Sequence, residues 1–360
     1  MTVPEIMCDT HGPCGLITLN RPQALNALTH GMVRAMTRAL VQWAQDPKVT
    51  RVVITAAGDR AFCAGGDIRL LHGQGLAGDH AAQLAFWHDE YQLNAIIKRY
   101  PKPFVALVNG IVMGGGVGVS VHAKHVVAGD NFAFAMPEVG IGFFPDVGAT
   151  WFLPRLPGHV GTFLALTGTR VRASDALALG LAQAFVPGSG MAALQAGLVA
   201  GADVAACIAD HATPVTAPVS DYRWIAACFA PDSLADIIKA LEVATGQGHA
   251  AAGLARQQIA AKSPTSLAIA RRQMRMGAGL SFEQAMQVEY RIVSRLCRGP
   301  DFYEGVRALV IDKDNQPQWR PATLDALDCQ QLAGFFAPLP DGELELPDIA
   351  GWGGTLERPA

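Results

Sequence analysis

The chain has 360 residues, of which 50% are hydrophobic and 16% charged, with a formal net charge of −3 at pH 7. That balance excludes a disordered chain, and the lack of a basic excess removes the electrostatic footprint of a nucleic-acid binder. Glycine is in surplus at 38 residues, about 11% against a usual share of roughly 7%, without a three-residue collagen period.

In chain order, short β-type runs at 16–20 (LITLN), 52–56 (VVITA), 104–108 (FVALV) and 125–128 (HVVA) alternate with helical segments. Met32, Met36, Leu40 and Trp43 recur every three or four residues and predict an amphipathic helix over 31–45. A second helix is predicted over 80–98. This order of strands and helices predicts an α/β core with parallel pairing. Gly188-Ser189-Gly190 reads as a break, followed by an Ala-rich helical region to about residue 327 and a Pro- and Gly-rich irregular tail from 338. Three regions follow: a core over 1–188, helices over 189–327 and a tail over 328–360.

The seven cysteines are widely spaced, form no C-x-x-C pair and are odd in number, so reduced thiols in a cytoplasmic protein are expected. The first twelve residues have neither a basic nor an apolar leader region. Residues 104–123 carry no formal charge and place Gly110, Gly114 and Gly118 at G-x-x-x-G spacing. Asn109, Ser120, His122 and five glycines argue against a membrane span there, and favour a buried strand, a glycine turn and a helix start.

The run at 114–120 fails the G-x-G-x-x-G pattern, and neither a Walker loop nor a G-x-S-x-G elbow occurs. His122 and His125 could share a helix face, but no nearby carboxylate or cysteine completes a metal site. Three segments carry more information: 61–69 (AFCAGGDIR), 108–118 (VNGIVMGGGVG) and 134–148 (FAMPEVGIGFFPDVG), which together hold ten of the 38 glycines. Glycine after a strand lets the backbone approach a ligand. Two such turns can aim two N–H groups at one point, and a helix start adds partial positive charge. That is the physics of an oxyanion hole. Each turn also has a plain reading as tight packing. Glu138 and Asp146 lie eight residues apart in an apolar segment. Burial there would raise their pKa values towards those of working acids and bases. Capping and Asx-turn roles remain open for each.

Taken together, these segments resemble the crotonase (enoyl-CoA hydratase/isomerase) superfamily. The resemblance begins at LITLNRPQALNAL (16–28). Within the superfamily, DEYQLN (89–94), VMGGGVGVSVH (112–122), FLPRLPG (152–158), LALTGTR (164–170), SPTSL (263–267) and DFYEGVRALVIDKDNQPQW (301–319) are similar to its 3-hydroxyisobutyryl-CoA hydrolase branch. The resemblance implies a spiral of ββα units with a helical C-terminal region. It also implies hydrolysis of a short branched β-hydroxyacyl-CoA thioester, a step of valine degradation.

By the same resemblance, the N–H groups of Gly66 and Gly115 form the oxyanion hole, Glu138 and Asp146 are the catalytic acids, and Glu90 is a third substrate-site carboxylate. Ala24, Leu25, Ala64, Asp67 and Ile68 line the coenzyme A channel. No metal or cofactor is implied, since coenzyme A belongs to the substrate. The partner is an acyl-CoA, with neither nucleic acid nor membrane, and many members form homo-trimers. Arg69, Arg155 and Lys313 are unranked candidates for the coenzyme A phosphates. Hydratases of the superfamily carry a second glutamate where this chain has Gly118. An enoyl-CoA hydratase or isomerase and a non-catalytic acyl-CoA-binding protein remain the alternatives.

Overall fold

The computed structural model describes residues 3–215, 220–340 and 342–348. Its strands are β1 (Ile6–His11), β2 (Cys14–Leu19), β3 (Arg51–Ala56), β4 (Ala61–Cys63), β5 (Phe104–Val108), β6 (Ile111–Met113), β7 (His125–Ala128), β8 (Ala133–Ala135), β9 (Val171–Arg172) and β10 (Ala184–Phe185). The helices of the first half are α1 (His30–Gln45), α2 (Ile68–Leu76), α3 (His80–Lys98), α4 (Gly115–Gly118), α5 (Ala149–Phe152), α6 (Val160–Thr167) and α7 (Ala173–Ala178). Those that follow are α8 (Gly188–Ala200), α9 (Val204–His211), α10 (Arg223–Phe229), α11 (Leu234–Gly246), α12 (Ala250–Ala260), α13 (Pro264–Gly277), α14 (Phe282–Leu296), α15 (Pro300–Val306) and α16 (Cys329–Gly334).

The strands make two sheets, ordered β1-β2-β3-β5-β7-β10 and β4-β6-β8-β9. β3, β5 and β7 each enter the large sheet, and the strand that follows each enters the small one. This alternation is the spiral of ββα units. Pairing is parallel except at β1 with β2 and β8 with β9. Every residue of β5 is buried, as a central strand covered on both faces requires. The uncharged stretch at 104–123 is two strands in different sheets and a helix start, and the chain bends between them at Gly110, where φ is +101°. Among the described residues no helix is long and apolar enough to cross a membrane.

α1 starts where the Thr29 hydroxyl accepts the Met32 N–H at 3.2 Å, and it buries the expected Met32, Met36, Leu40 and Trp43 against the main core. α3 is capped by Asp79. The run Gly188-Ser189-Gly190, expected as a break, forms the first turn of α8. Leu194 and Leu198 of α8, with Val204, Cys207 and Ile208 of α9, cover Val53, Val105, Leu107 and Val127 of the large sheet in a second core. Residues 342–348 contain neither helix nor strand, yet Leu344 is buried and Glu343 pairs with Arg291 at 2.9 Å. The end of the expected irregular tail, 349–360, lies outside the described residues.

The C-terminal helices reach the site from outside the spiral: α13 packs on α5 and α6, α14 on α3 and α5, and α15 on α2 and on the turn Glu138–Ile141. That last junction is backbone against backbone. A Cβ at Gly142, where φ is +68°, would fall 2.0 Å from the Asp301 carbonyl oxygen, and one at Gly305 would fall 2.3 Å from the Ile141 carbonyl carbon. Gly142→Ala is expected to cost about 3 kcal/mol through overpacking and left-handed strain. Urea unfolding checks this, by a lower midpoint at unchanged slope.

Candidate active site

β4, β6 and β8 are parallel neighbours, so their C-terminal ends lie side by side. Each leads into one of the three segments singled out above: β4 into Ala64-Gly65-Gly66, β6 into Gly114-Gly115, and β8 into Pro137-Glu138. Chains diverge on leaving a parallel sheet and open a crevice at that edge. The first two turns touch. Gly65 has φ +116° and Gly114 has φ +46°, and a Cβ on Gly114 would stand 3.3 Å from Gly65 Cα. The same approach puts Gly66 N 3.4 Å from where a Gly115 Cβ would be. Gly115 opens α4, where the leading N–H groups have no carbonyl of their own turn. Among the described residues, neither Gly66 N–H nor Gly115 N–H donates to a backbone carbonyl. Two free donors therefore sit together at the strand ends.

α3 brings the third wall. Its buried positions Gln83, Trp87, Glu90 and Asn94 recur at helical spacing, and Tyr91 flanks them. Glu90 Oε1 lies where only a glycine fits opposite, 2.3 Å from a would-be Cβ on Gly115. Glu90, Glu138 and Asp146 line one cavity of about 520 Å³, together with both glycine turns. Its apolar side includes Phe86 and the stacked pair Trp87 and Phe143, whose ring centroids are 5.4 Å apart.

The carboxyl groups are 2% (Glu90), 6% (Glu138) and 4% (Asp146) exposed, so desolvation favours their protonated forms. Burial, reinforced by the neighbouring Asp146 charge, holds Glu90 and Glu138 well above the ordinary value. Asp146 is pushed only to about 7, because burial is opposed by the Tyr91 hydroxyl, which donates to Oδ2 at 2.9 Å. Glu289 of α14 is pushed to about 8 by burial and by Asp146. Burial and mutual repulsion both favour the protonated forms of these acids, so the site resists accumulating negative charge. One Oε atom each of Glu90 and Glu138 is buried without a protein partner, as are both amide atoms of Asn94.

A sequence profile described as enoyl-CoA hydratase/isomerase matches residues 14–336. The chain belongs to that family. It is 42% identical to the mitochondrial 3-hydroxyisobutyryl-CoA hydrolase of Danio rerio over 95% of this chain and 92% of that protein. To the same-named protein of Homo sapiens it is 39% identical, over 95% and 90%. Among solved structures it is similar to one titled a carnitinyl-CoA dehydratase from Mycobacterium thermoresistibile, with TM-score 0.89, 42% identity, and 95% and 98% covered. Another, titled an enoyl-CoA hydratase from Rhodobacter sphaeroides 2.4.1, gives TM-score 0.87, 40% identity, and 95% and 100% covered. The expected cytoplasmic location is overturned by the 3-hydroxyisobutyryl-CoA hydrolase relatives, which are named as mitochondrial enzymes. All seven cysteines are free, but free thiols report reducing surroundings and do not specify the compartment.

Against the crotonase pattern, the structure brings together Gly66, Gly115, Glu138, Asp146, Glu90, Ala64 and Ile68 at the cavity. Ala24, Leu25 and Asp67 do not line it. The Leu25 carbonyl instead accepts the Ala64 N–H at 3.0 Å, supporting the first glycine turn from behind. Asp67 pairs with Arg21 at 3.0 Å and caps α2. Arg69, Arg155 and Lys313 are also outside the lining: Arg69 donates to the Val310 carbonyl, and Arg155 stacks on Trp151. The cations at the cavity are Arg170, which is exposed, and Lys262, whose amine burial holds below its usual value. Arg170 closes the LALTGTR run but is not among the phosphate candidates, and Lys262 stands just before SPTSL. His122 and His125 share no helix face, since His125 begins β7 and buried His122 donates to the Val147 carbonyl at 2.7 Å. Among the described residues no cluster of His, Cys, Asp and Glu side chains could hold a metal ion.

Gly118, where family hydratases carry their second glutamate, has no room for one. A Cβ there would fall 2.6 Å from Asn94 Nδ2 and 2.8 Å from Val147 Cβ.

Raised carboxyl pKa values mean that the folded state binds protons more tightly than the unfolded chain, so stability drains away as pH rises through them. For Asp146 the window runs from 3.8 to about 7, and for Glu289 from 4.5 to about 8. The thermal unfolding midpoint is therefore expected to fall between about pH 5 and about pH 8, and Asp146→Asn to flatten the fall. Scanning calorimetry across that range checks both.

Proposed function

We propose that the protein hydrolyses the thioester of 3-hydroxyisobutyryl-CoA, releasing 3-hydroxyisobutyrate and coenzyme A. The observation that carries this reading is the closed position at Gly118 beside a cavity in which Asp146 joins Glu138. A two-glutamate hydration site has no space there, while a different pair of acids is present. The names of the curated relatives point the same way.

In this reading the thioester carbonyl oxygen sits between the N–H groups of Gly66 and Gly115. Those dipoles gain most when the oxygen becomes an oxyanion, because they need no reorganisation as charge develops. The ionised fraction of Glu138, which burial keeps small, either draws a proton from the attacking water or attacks the carbonyl carbon to give a mixed anhydride that water then cleaves, restoring the carboxyl group. The leaving sulfur takes a proton from a neighbouring carboxyl group, and Asp146, titrating near 7, is suited to carry it or to bind the substrate hydroxyl. Glu90 lies beside Gly115 to do the same from α3. Ala64 and Ile68 would border the thioester arm, and Arg170 and Lys262, which line the same cavity, would meet the coenzyme A phosphates. Residues 1–188 then supply the acyl site, 189–327 the helical region around it, and 328–360 the tail.

A second reading, hydration of an enoyl-CoA, is favoured by the titles of the two similar solved structures. A panel of 3-hydroxyisobutyryl-CoA, 3-hydroxypropionyl-CoA and crotonyl-CoA separates the two. Thiol release from the hydroxyacyl substrates is expected, with kcat reduced about 10²- to 10⁴-fold in Glu138→Gln. Loss of enoyl absorbance without thiol release would sink the hydrolase. Gly118→Glu is expected to gain no enoyl hydration and to lower the unfolding midpoint, because Asn94 and Val147 fill the space.

A further inference from the structure

The loop that carries Asp146 adopts a conformation it would not hold alone. Val147 has φ +53°, an outlier for a β-branched residue, and Gly148 follows at φ +91°. Buried polar groups grip this loop at successive residues. Gln273 of α13 donates its amide Nε2 to the Pro145 carbonyl at 2.9 Å and to Thr150 Oγ1 at 2.7 Å. Glu289 of α14 accepts the Gly148 N–H on one oxygen at 2.7 Å and the Thr150 N–H on the other at 2.8 Å. Tyr91 holds the Asp146 carboxyl itself, and His122 holds the Val147 carbonyl. Gln273 and Glu289 are fully buried.

Burying a carboxyl group with no cationic partner is costly, and a core needs neither this acid nor this amide for packing alone. What the two side chains have in common is the loop between them. We propose that Glu289 and Gln273, more than a hundred residues from Asp146 in the chain, are positioning residues for it. They clamp the strained loop over 145–150 so that the Asp146 carboxyl faces the thioester. The inference rests on the reading of Asp146 as an active group. The chemistry of the clamp is specific. Glu289 needs two acceptor oxygens, so a glutamine of the same shape turns an N–H₂ group onto a backbone N–H and breaks one arm.

Glu289→Gln, Gln273→Leu, Asp146→Asn and the two double variants with Asp146→Asn test this. kcat and KM for 3-hydroxyisobutyryl-CoA are measured beside the unfolding midpoint of each. The single clamp variants are expected to lower kcat about 10- to 100-fold with KM nearly unchanged, and to add no further loss once Asp146 is asparagine. Losses that multiply in the double variants, or a kcat left intact at either clamp position while Asp146→Asn is impaired, would overturn the clamp alone. An Asp146→Asn enzyme as active as the parent would overturn the reading of Asp146, and the clamp with it. Should Glu289→Gln not fold, Gln273→Leu and its double variant carry the same comparison.

Discussion

The site depends on the close approach of two backbone turns. Gly65 and Gly114 meet without side chains between them, and this contact brings the Gly66 and Gly115 backbones together. The approach is available because β4 and β6 are parallel neighbours, with Cys63 at the end of β4 paired to Val112 near the end of β6. The spiral sets that register by sending alternate strands to the second sheet. A Cβ on Gly114 would press within 3.3 Å of Gly65 Cα, and one on Gly115 would fall 2.3 Å from Glu90 Oε1. The donors these turns offer are main-chain atoms, which no rotamer change can disorder.

Around that pocket lie acids that burial keeps largely protonated. Their common environment is created by two parts of the chain that meet only in three dimensions. α3 contributes Glu90, Tyr91 and Asn94 from the spiral, and α13 to α15 close the far side from the C-terminal region. The junction at Gly142 and Gly305 joins the Glu138 turn to α15 with no side chain in between. The helical region is consequently part of the site's wall. The acids have different neighbours: Asp146 has a phenol donor, while Glu90 and Glu138 each present an oxygen to no protein partner.

Much of this was legible in the sequence, for identifiable reasons. β5, β7 and α3 have the expected bounds because long apolar runs and helical spacing leave a strong period. β4, β6 and β8 leave no strand signal in the sequence, since three residues carry no period and β4 and β8 are buried throughout. The glycine turns and their acids could be singled out locally, because Gly-Gly after a strand and a carboxylate in an apolar loop are anomalies in themselves. Their assembly at one cavity came from the family resemblance. Glu289 and Gln273 sit in ordinary-looking amphipathic helices, and only tertiary packing turns them inward. Of the positions the resemblance gives to the channel, Leu25 braces the first glycine turn and Asp67 caps a helix, roles that only the folded chain reveals.

The reluctance of the cavity to accumulate negative charge bears on how a catalytic cycle would finish. Thioester hydrolysis turns a neutral acyl group into a carboxylate, formed among Glu90, Glu138 and Asp146. In such surroundings like charges repel strongly, and the hydroxy acid is the anion free to leave. The burial that tunes the acids for the chemical step therefore also weakens the site's grip on its own product. Ejection and catalysis then draw on the same electrostatics.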